Sequence, residues 1–243
     1  MKMLAPCRIL ALRLLAAMLT VTVAHASSPA AAPQDSEIGP DYVDAPETVL
    51  NGSVPQGAVH ELVMDSADSK IYPGIVRVES EFTARRDTYG NRLAAPAEQI
   101  SAPGPYQRHV WVYVPQQYVP GKPAPFMVLQ DGHGYVKRMP VIVDNMIAAH
   151  RLPAMILVMV DSGGSDAQGS ERGLEYDTIS DRYTRFIESE VLPRVAKEYH
   201  LSFTTNPSGR GTMGGSSGAV AAFTMAWFHP ELYRKVLSYS GTL

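Results

Sequence analysis

The chain has almost no cysteine. Its 243 residues contain only one, Cys7, and this residue lies in an N-terminal segment with the features of a secretion signal. Removal of that segment would leave a mature protein without cysteine. Disulfide bonds, thiolate metal sites and a catalytic thiol are then excluded.

The N-terminal segment has the three parts of a signal peptide. Its basic residues are Lys2, Arg8 and Arg13. Residues 14–24 form an uncharged, mostly apolar run, and Ala24-His25-Ala26 supplies the small residues that a signal peptidase requires. The run is shorter than the roughly 20 residues that cross a bilayer. We therefore predict a signal peptide over residues 1–26, no membrane span, and a periplasmic or secreted protein.

Clusters of like charge are also missing. Lys and Arg number 21 against 24 Asp and Glu, which gives a formal net charge of −3. This balance does not favour nucleic acid or an acidic membrane surface as a partner, whereas a small, weakly charged ligand fits it. The histidines show no metal-ligand spacing such as H-E-x-x-H, so no metal site is predicted.

Residues 27–68 lack the periodicity of a helix or a strand. Their early part is rich in Ala, Pro, Ser and acidic residues, a composition typical of a linker. We predict a disordered linker over residues 27–68 and a folded domain over residues 69–243. The domain's first strand signal is the alternation of apolar and charged residues over 76–82.

Further along, strands alternate with helices. Apolar runs at 126–129 and 155–160 each end in a turn that contains Asp and Gly, and helices are predicted over 140–150 and 219–228. Such alternation predicts an α/β fold, in which a mostly parallel sheet carries helices on both faces.

One strand-to-helix turn carries a chemical motif. Gly214-Gly215-Ser216-Ser217-Gly218 matches G-x-S-x-G, with strand-forming residues before it and a helix after it, the context of a nucleophile elbow. Small neighbours allow the strand and the helix to approach while the serine hydroxyl points outwards. We predict Ser216 as the nucleophile and the Ser217 N–H, at the helix N-terminus, as an oxyanion donor.

A second loop is expected beside this elbow. Residues 130–135 follow an earlier strand, and α/β sheets place their sites at the carboxyl ends of strands. A backbone N–H of this loop can join Ser217 in an oxyanion hole. The residues alone do not choose among Gly132, His133 and Gly134 as the donor, and Asp-Gly is also a common turn.

Several motifs together resemble the enterochelin esterase-like family of the α/β-hydrolase superfamily, which is similar to feruloyl and acetyl-xylan esterases and to mycolyltransferases. They are Tyr72-Pro73-Gly74, Val112-Tyr113-Val114-Pro115, Leu129-Gln130-Asp131-Gly132, residues 175–183 and the Ser216 motif. The resemblance implies an α/β-hydrolase fold, here without its C-terminal strands. It also implies hydrolysis of a small-molecule ester, such as a siderophore-like or carbohydrate ester, through an acyl-enzyme on Ser216 without a cofactor.

The rest of a catalytic triad is not evident. In α/β-hydrolases the acid and the histidine follow the nucleophile, and only His229 and Glu231 follow Ser216. His229 would lie at the far end of the elbow helix, about 20 Å from the serine, whereas a base must be within hydrogen-bond reach. We expect these 243 residues to be inactive alone. His133 is a less favoured base because it would invert the chain order.

Two alternatives to an esterase stay open. One is an acyltransferase of the same fold, and the other is a shortened, non-catalytic member that binds a ligand. Two further segments flank the expected site. In proteins of the family that this chain resembles, the segment matching residues 172–175 lies beside the active-site mouth, so a role in substrate contact or in bracing the site is one interpretation of it. We favour the other, that Arg172 and Glu175 are solvated charges near a helix start, because exposed pairs of this kind are common. We interpret residues 161–164 as a loop that lines the site.

Overall fold

The computed structural model describes residues 41, 43–77, 101–164 and 171–241. The predicted signal peptide lies outside the described residues. The described residues from 44 onwards form one compact unit, to which all the elements below belong. Within the described part of the chain, no helix is long and apolar enough to cross a membrane.

A six-stranded mixed sheet forms the centre of this unit. The strands of the chain are β1 (Ala58–Asp65), β2 (Ile75–Arg77), β3 (Ser101–Pro103), β4 (Gln107–Val114), β5 (Phe126–Gln130), β6 (Ile156–Val160), β7 (Arg210–Gly215) and β8 (Lys235–Tyr239). The main sheet has the order β1-β4-β6-β5-β7-β8, while β2 and β3 pair separately. The two pairings that involve β4 are antiparallel, and the three among β6, β5, β7 and β8 are parallel. The mostly parallel sheet expected from the sequence is confirmed.

Helices cover both faces of the sheet. They are α1 (Met139–Ala148), α2 (Glu171–Tyr176), α3 (Arg182–Phe186), α4 (Leu192–Tyr199) and α5 (Ser217–Phe228). Val143 and Ile147 of α1 belong to one apolar cluster, and residues of the other four helices belong to a second. A π-helical turn separates α3 from α4, just before Pro193, which lacks the N–H that a regular helix would use.

The central strands alternate between these two clusters. All five residues of β6 are buried. Its Ile156, Val158 and Val160 face the cluster of α2 to α5, whereas Leu157 and Met159 face that of α1. A strand covered on both sides has no polar face, which is why its sequence is an unbroken apolar run.

The structure corrects the boundary between linker and domain. Strand β1 lies within the segment assigned to a linker (27–68), yet all eight of its residues pair with β4. The alternation of apolar and polar residues is weak in β1 because this strand lies at the sheet edge. Leu62 is its only buried residue. The folded domain therefore begins before residue 69. Most of the strand predicted over 76–82 lies outside the described residues, and β2 is its described part.

The carboxyl ends of the parallel strands share one edge of the sheet. Asp131 follows β5, Asp161 follows β6 and Ser216 follows β7. Since β5 lies between β6 and β7, three loops with polar side chains meet at this edge.

Candidate active site

Ser216 has the backbone geometry of a nucleophile elbow. Its φ of 53° and ψ of −128° lie outside the regions that a serine ordinarily adopts, and such strain persists only where the surroundings fix it. Its N–H donates to the Tyr239 carbonyl at 3.2 Å, and its own carbonyl accepts from Ala219 N–H at 2.9 Å. The residue is exposed, and its side chain makes no capping hydrogen bond. The hydroxyl is thus presented at the sheet edge.

Two glycines allow this turn to close. A Cβ atom on Gly214 would lie 2.2 Å from the carbonyl oxygen of Gly218, so no larger residue fits between β7 and α5. A Cβ atom on Gly218 would lie 3.0 Å from Oδ2 of Asp131. The elbow and the loop after β5 are therefore in contact, as the sequence predicts.

The loop after β5 is a tight turn. Asp131 has a left-handed backbone (φ 60°, ψ 54°), and a 3-10 turn follows over Gly132–Gly134. A Cβ atom on Gly132 would lie 2.5 Å from the carbonyl carbon of Met159, so the turn rests directly on the backbone of β6.

The candidate oxyanion donors differ in what they bind. The His133 N–H donates to Oδ1 of Asp161 at 2.9 Å, and the Gly134 N–H donates to the Asp131 carbonyl at 2.9 Å. Within the described residues, the N–H groups of Gly132 and Ser217 donate to no acceptor. Of the candidate donors, these two amides are the ones that the described residues leave without an acceptor.

His133 is held by the loop after β6. Its Nδ1 lies 2.8 Å from Oδ1 of Asp161, and its side chain is 69% exposed. With Nδ1 at the carboxylate, Nε2 is the ring nitrogen left for solvent or a ligand. Asp161 thus has a definite contact, beyond the lining role that its sequence position indicates.

Arg172 is not the solvated charge that the sequence analysis expects. Its Nε and Nη2 donate to Oδ1 and Oδ2 of Asp131 at 3.1 and 3.0 Å. The Arg172 side chain is only 11% exposed, and its guanidinium lies 5.2 Å from the centre of the Tyr176 ring. Sequence reasoning missed this pair because its members are on different elements, α2 and the turn after β5.

Glu175 corrects the same interpretation more strongly. Both of its carboxylate oxygens accept from the guanidinium of Arg108, at 2.7 and 2.5 Å, and the two side chains are 0% and 2% exposed. Burial lowers the pKa of Arg108, but the adjacent Glu175 carboxylate outweighs it, so the pKa rises above its usual range. The Arg108 guanidinium therefore stays charged although it is buried. In the sequence, the only signal for this ion pair was Arg108, a basic residue among the apolar residues of β4.

Glu171 is a buried carboxyl beside this pair. It is 1% exposed, and its Oε2 accepts the Ile75 N–H at 2.7 Å. Burial, followed by the nearby Glu175 carboxylate, raises the pKa of Glu171. The protein thus holds this carboxyl closer to its neutral form than an exposed glutamate would be.

His229 is far from the elbow. It caps the C-terminal end of α5, whereas Ser216 caps the N-terminal end, and a helix of this length spans about 18 Å. Its Nδ1 lies 2.7 Å from Oε1 of Glu231. The expectation that His229 is a helix-end residue is confirmed.

Comparisons with known proteins show the family of the chain. The family model described as "Putative esterase" matches residues 102–243, which is more than half of the chain. A search of the curated proteins found no match.

Two solved structures illustrate the likeness. The enterobactin esterase of Shigella flexneri, solved in the presence of 2,3-di-hydroxy-N-benzoyl-glycine, has 21% identity, a TM-score of 0.49, and coverage of 77% of this chain and 38% of that one. A CE1 ferulic acid esterase of Anaeromyces mucronatus, in complex with ferulic acid, has 13% identity, a TM-score of 0.50, and coverage of 81% and 62%. The chain spans less than two thirds of either structure. The likeness to the second supports the α/β fold described above.

Proposed function

This chain belongs to the Esterase family, and from that premise we propose that it hydrolyses a small-molecule carboxylic ester through an acyl-enzyme on Ser216. The observation that carries the proposal is the strained, exposed serine between β7 and α5. Strained backbone of this kind is concentrated at functional sites, and a protein that only bound a ligand would have no use for it.

The proposed reaction begins with attack on the ester carbonyl. The Ser216 oxygen bonds to the carbonyl carbon, and the carbonyl oxygen becomes an oxyanion, which the Ser217 and Gly132 N–H groups stabilise. Collapse breaks the bond to the alcohol oxygen, which leaves with a proton. Water then attacks the acyl-enzyme, releases the carboxylic acid and returns the proton to Ser216.

The Ser216 proton requires a base within hydrogen-bond reach. His229 does not meet this requirement, since it caps the opposite end of α5. We therefore expect turnover by these 243 residues to be slow, at the level of about 10³ to 10⁴ over water that a disabled triad retains. Rapid turnover that is lost in His133→Ala would instead identify His133, held by Asp161, as the base.

A fluorophosphonate probe and an adjacent serine provide the test. In a version of the protein whose Ser216 has a base within reach, the probe should label Ser216, and Ser216→Ala should abolish labelling and remove p-nitrophenyl acetate turnover, a loss of up to about 10⁶ in kcat in comparable hydrolases. Ser217→Ala is the matched control, because it keeps the backbone N–H that the proposal uses. Labelling at Ser217, or undiminished turnover in Ser216→Ala, would contradict the proposal.

A further inference from the structure

Helix α2 holds the turn after β5 at two points. Arg172 makes its two-pronged contact with the carboxylate of Asp131, and the hydroxyl of Tyr176 accepts the Asp131 N–H at 3.1 Å. Arg172 and Tyr176 are four residues apart and so lie on one side of the helix. Because Asp131 has a left-handed backbone, these contacts fix the direction of the Gly132 N–H that follows it.

The same helix reaches the loop after β6 through Glu175. Arg108, paired with Glu175, also donates to the Asp161 carbonyl at 2.5 Å, and the Gly163 N–H donates to Oε1 of Glu175 at 3.3 Å. The Asp161 carboxylate then accepts the His133 N–H. Through the loop after β6, the contacts of Glu175 therefore also reach the turn over Gly132–Gly134.

Stability alone is a weak reason for this arrangement. A buried ion pair can often be replaced by apolar residues without loss of stability, because desolvation of the charges cancels most of their attraction. A guanidinium fork, in contrast, fixes the distance and orientation of a carboxylate as no apolar contact does. The arrangement is better explained by the geometry that it imposes.

We propose that Arg172, Glu175 and Tyr176 of α2, together with Arg108, position the oxyanion donors of the esterase site. We call these four residues the α2 brace. The brace keeps the Gly132 N–H in the orientation in which it and the Ser217 N–H both point at the oxyanion. The inference rests on the proposed function of Ser216.

Arg172→Lys is the informative variant, because it keeps the charge and loses the fork. We expect kcat for p-nitrophenyl acetate to fall roughly 10- to 100-fold, as for a donor displaced by about 1 Å, with KM nearly unchanged. In hydrogen–deuterium exchange, the His133, Gly134 and Tyr135 amides, all hydrogen-bonded in the structure, should exchange faster.

Arg210→Lys is the matched control. Arg210 is also buried, pairs with Glu188 and lies over aromatic rings, but it begins β7 at the opposite end of the sheet. This variant should lower the thermal midpoint while kcat and the exchange of residues 133–135 stay as in the wild type.

The possible outcomes distinguish failure of the brace proposal from failure of the proposed function. Equal loss of kcat in both variants, or unchanged exchange at residues 133–135 in Arg172→Lys, would overturn the brace. If a version of the protein with a base within reach of Ser216 neither reacts with the probe nor turns over ester, the proposed function fails. The exchange measurement then still decides whether the brace holds the turn: faster exchange in Arg172→Lys alone supports it, and unchanged exchange refutes it.

Discussion

Single glycines at the elbow decide whether Ser216 can be presented at all. In Gly214→Ala the new methyl group would meet the Gly218 carbonyl oxygen at 2.2 Å, so β7 and α5 must separate. Such overpacking costs about 1–3 kcal/mol or more, and we expect denaturant unfolding to show this loss together with reduced probe labelling of Ser216. Gly134→Ala is the control, since a Cβ atom there meets nothing within 4 Å. Equal stability of the two variants would refute the argument.

The buried carboxyl of Glu171 makes a prediction about pH. Its pKa is raised in the folded protein, first by burial and then by Glu175, so the folded state binds more protons than the unfolded state above the unfolded pKa. Stability is therefore lost as pH rises from that pKa through the folded value. Glu171→Gln should raise the free energy of unfolding at pH 7 and change it little near pH 3. A variant that is destabilised at pH 7 would contradict this.

Residues close in sequence were predictable, and those that meet only in the fold were not. Ser216 and its glycines form a local motif whose spacing alone indicates the turn. Arg108 and Glu175 are 67 residues apart, and only the packing of α2 against the end of β4 brings them together. The interpretation of Glu175 as solvated failed for that reason.

Among the elements, β8 is an open edge strand in the described part of the chain. It pairs only with β7, and Val236, Leu237 and Tyr239 are 37%, 51% and 44% exposed. Unpaired N–H and C=O groups beside apolar side chains favour association between chains. We expect Leu237→Lys to reduce light scattering by concentrated protein. Val119→Lys, a similar change at an exposed position outside the strands, should have little effect, and equal effects would refute an edge-specific cause.

Secondary-structure elements were predicted more accurately where more of their residues are buried. Strands β5 and β6 were located to within a residue because both of their faces are covered, which demands an apolar run. Strand β1 was missed because one buried side chain, Leu62, leaves no readable alternation. Helix α2 has only six residues, too few to be stable without tertiary contacts, so its sequence carries little helical signal.

For the molecule as a whole, the remaining prediction concerns its export from the cytoplasm. We propose export with cleavage after Ala26, on the basis of Ala24-His25-Ala26 and the apolar run before it. Mass spectrometry of the protein outside the cytoplasm should find Ser27 as the first residue, and Ala24→Lys should block processing because the peptidase needs a small side chain there. Exported protein that retains Met1 would contradict the proposal.

The hydrogen bond from the Ser216 N–H to the Tyr239 carbonyl also bears on the order of events during synthesis. The ribosome makes a chain from its N-terminus, and the elements that emerge first can fold first. Strand β8 is translated after every other element of the sheet, yet it accepts a hydrogen bond from the backbone of the proposed nucleophile. This hydrogen bond to the Ser216 backbone therefore forms only after β8 has been made and has paired with β7, so the elbow is completed by the last described strand of the sheet.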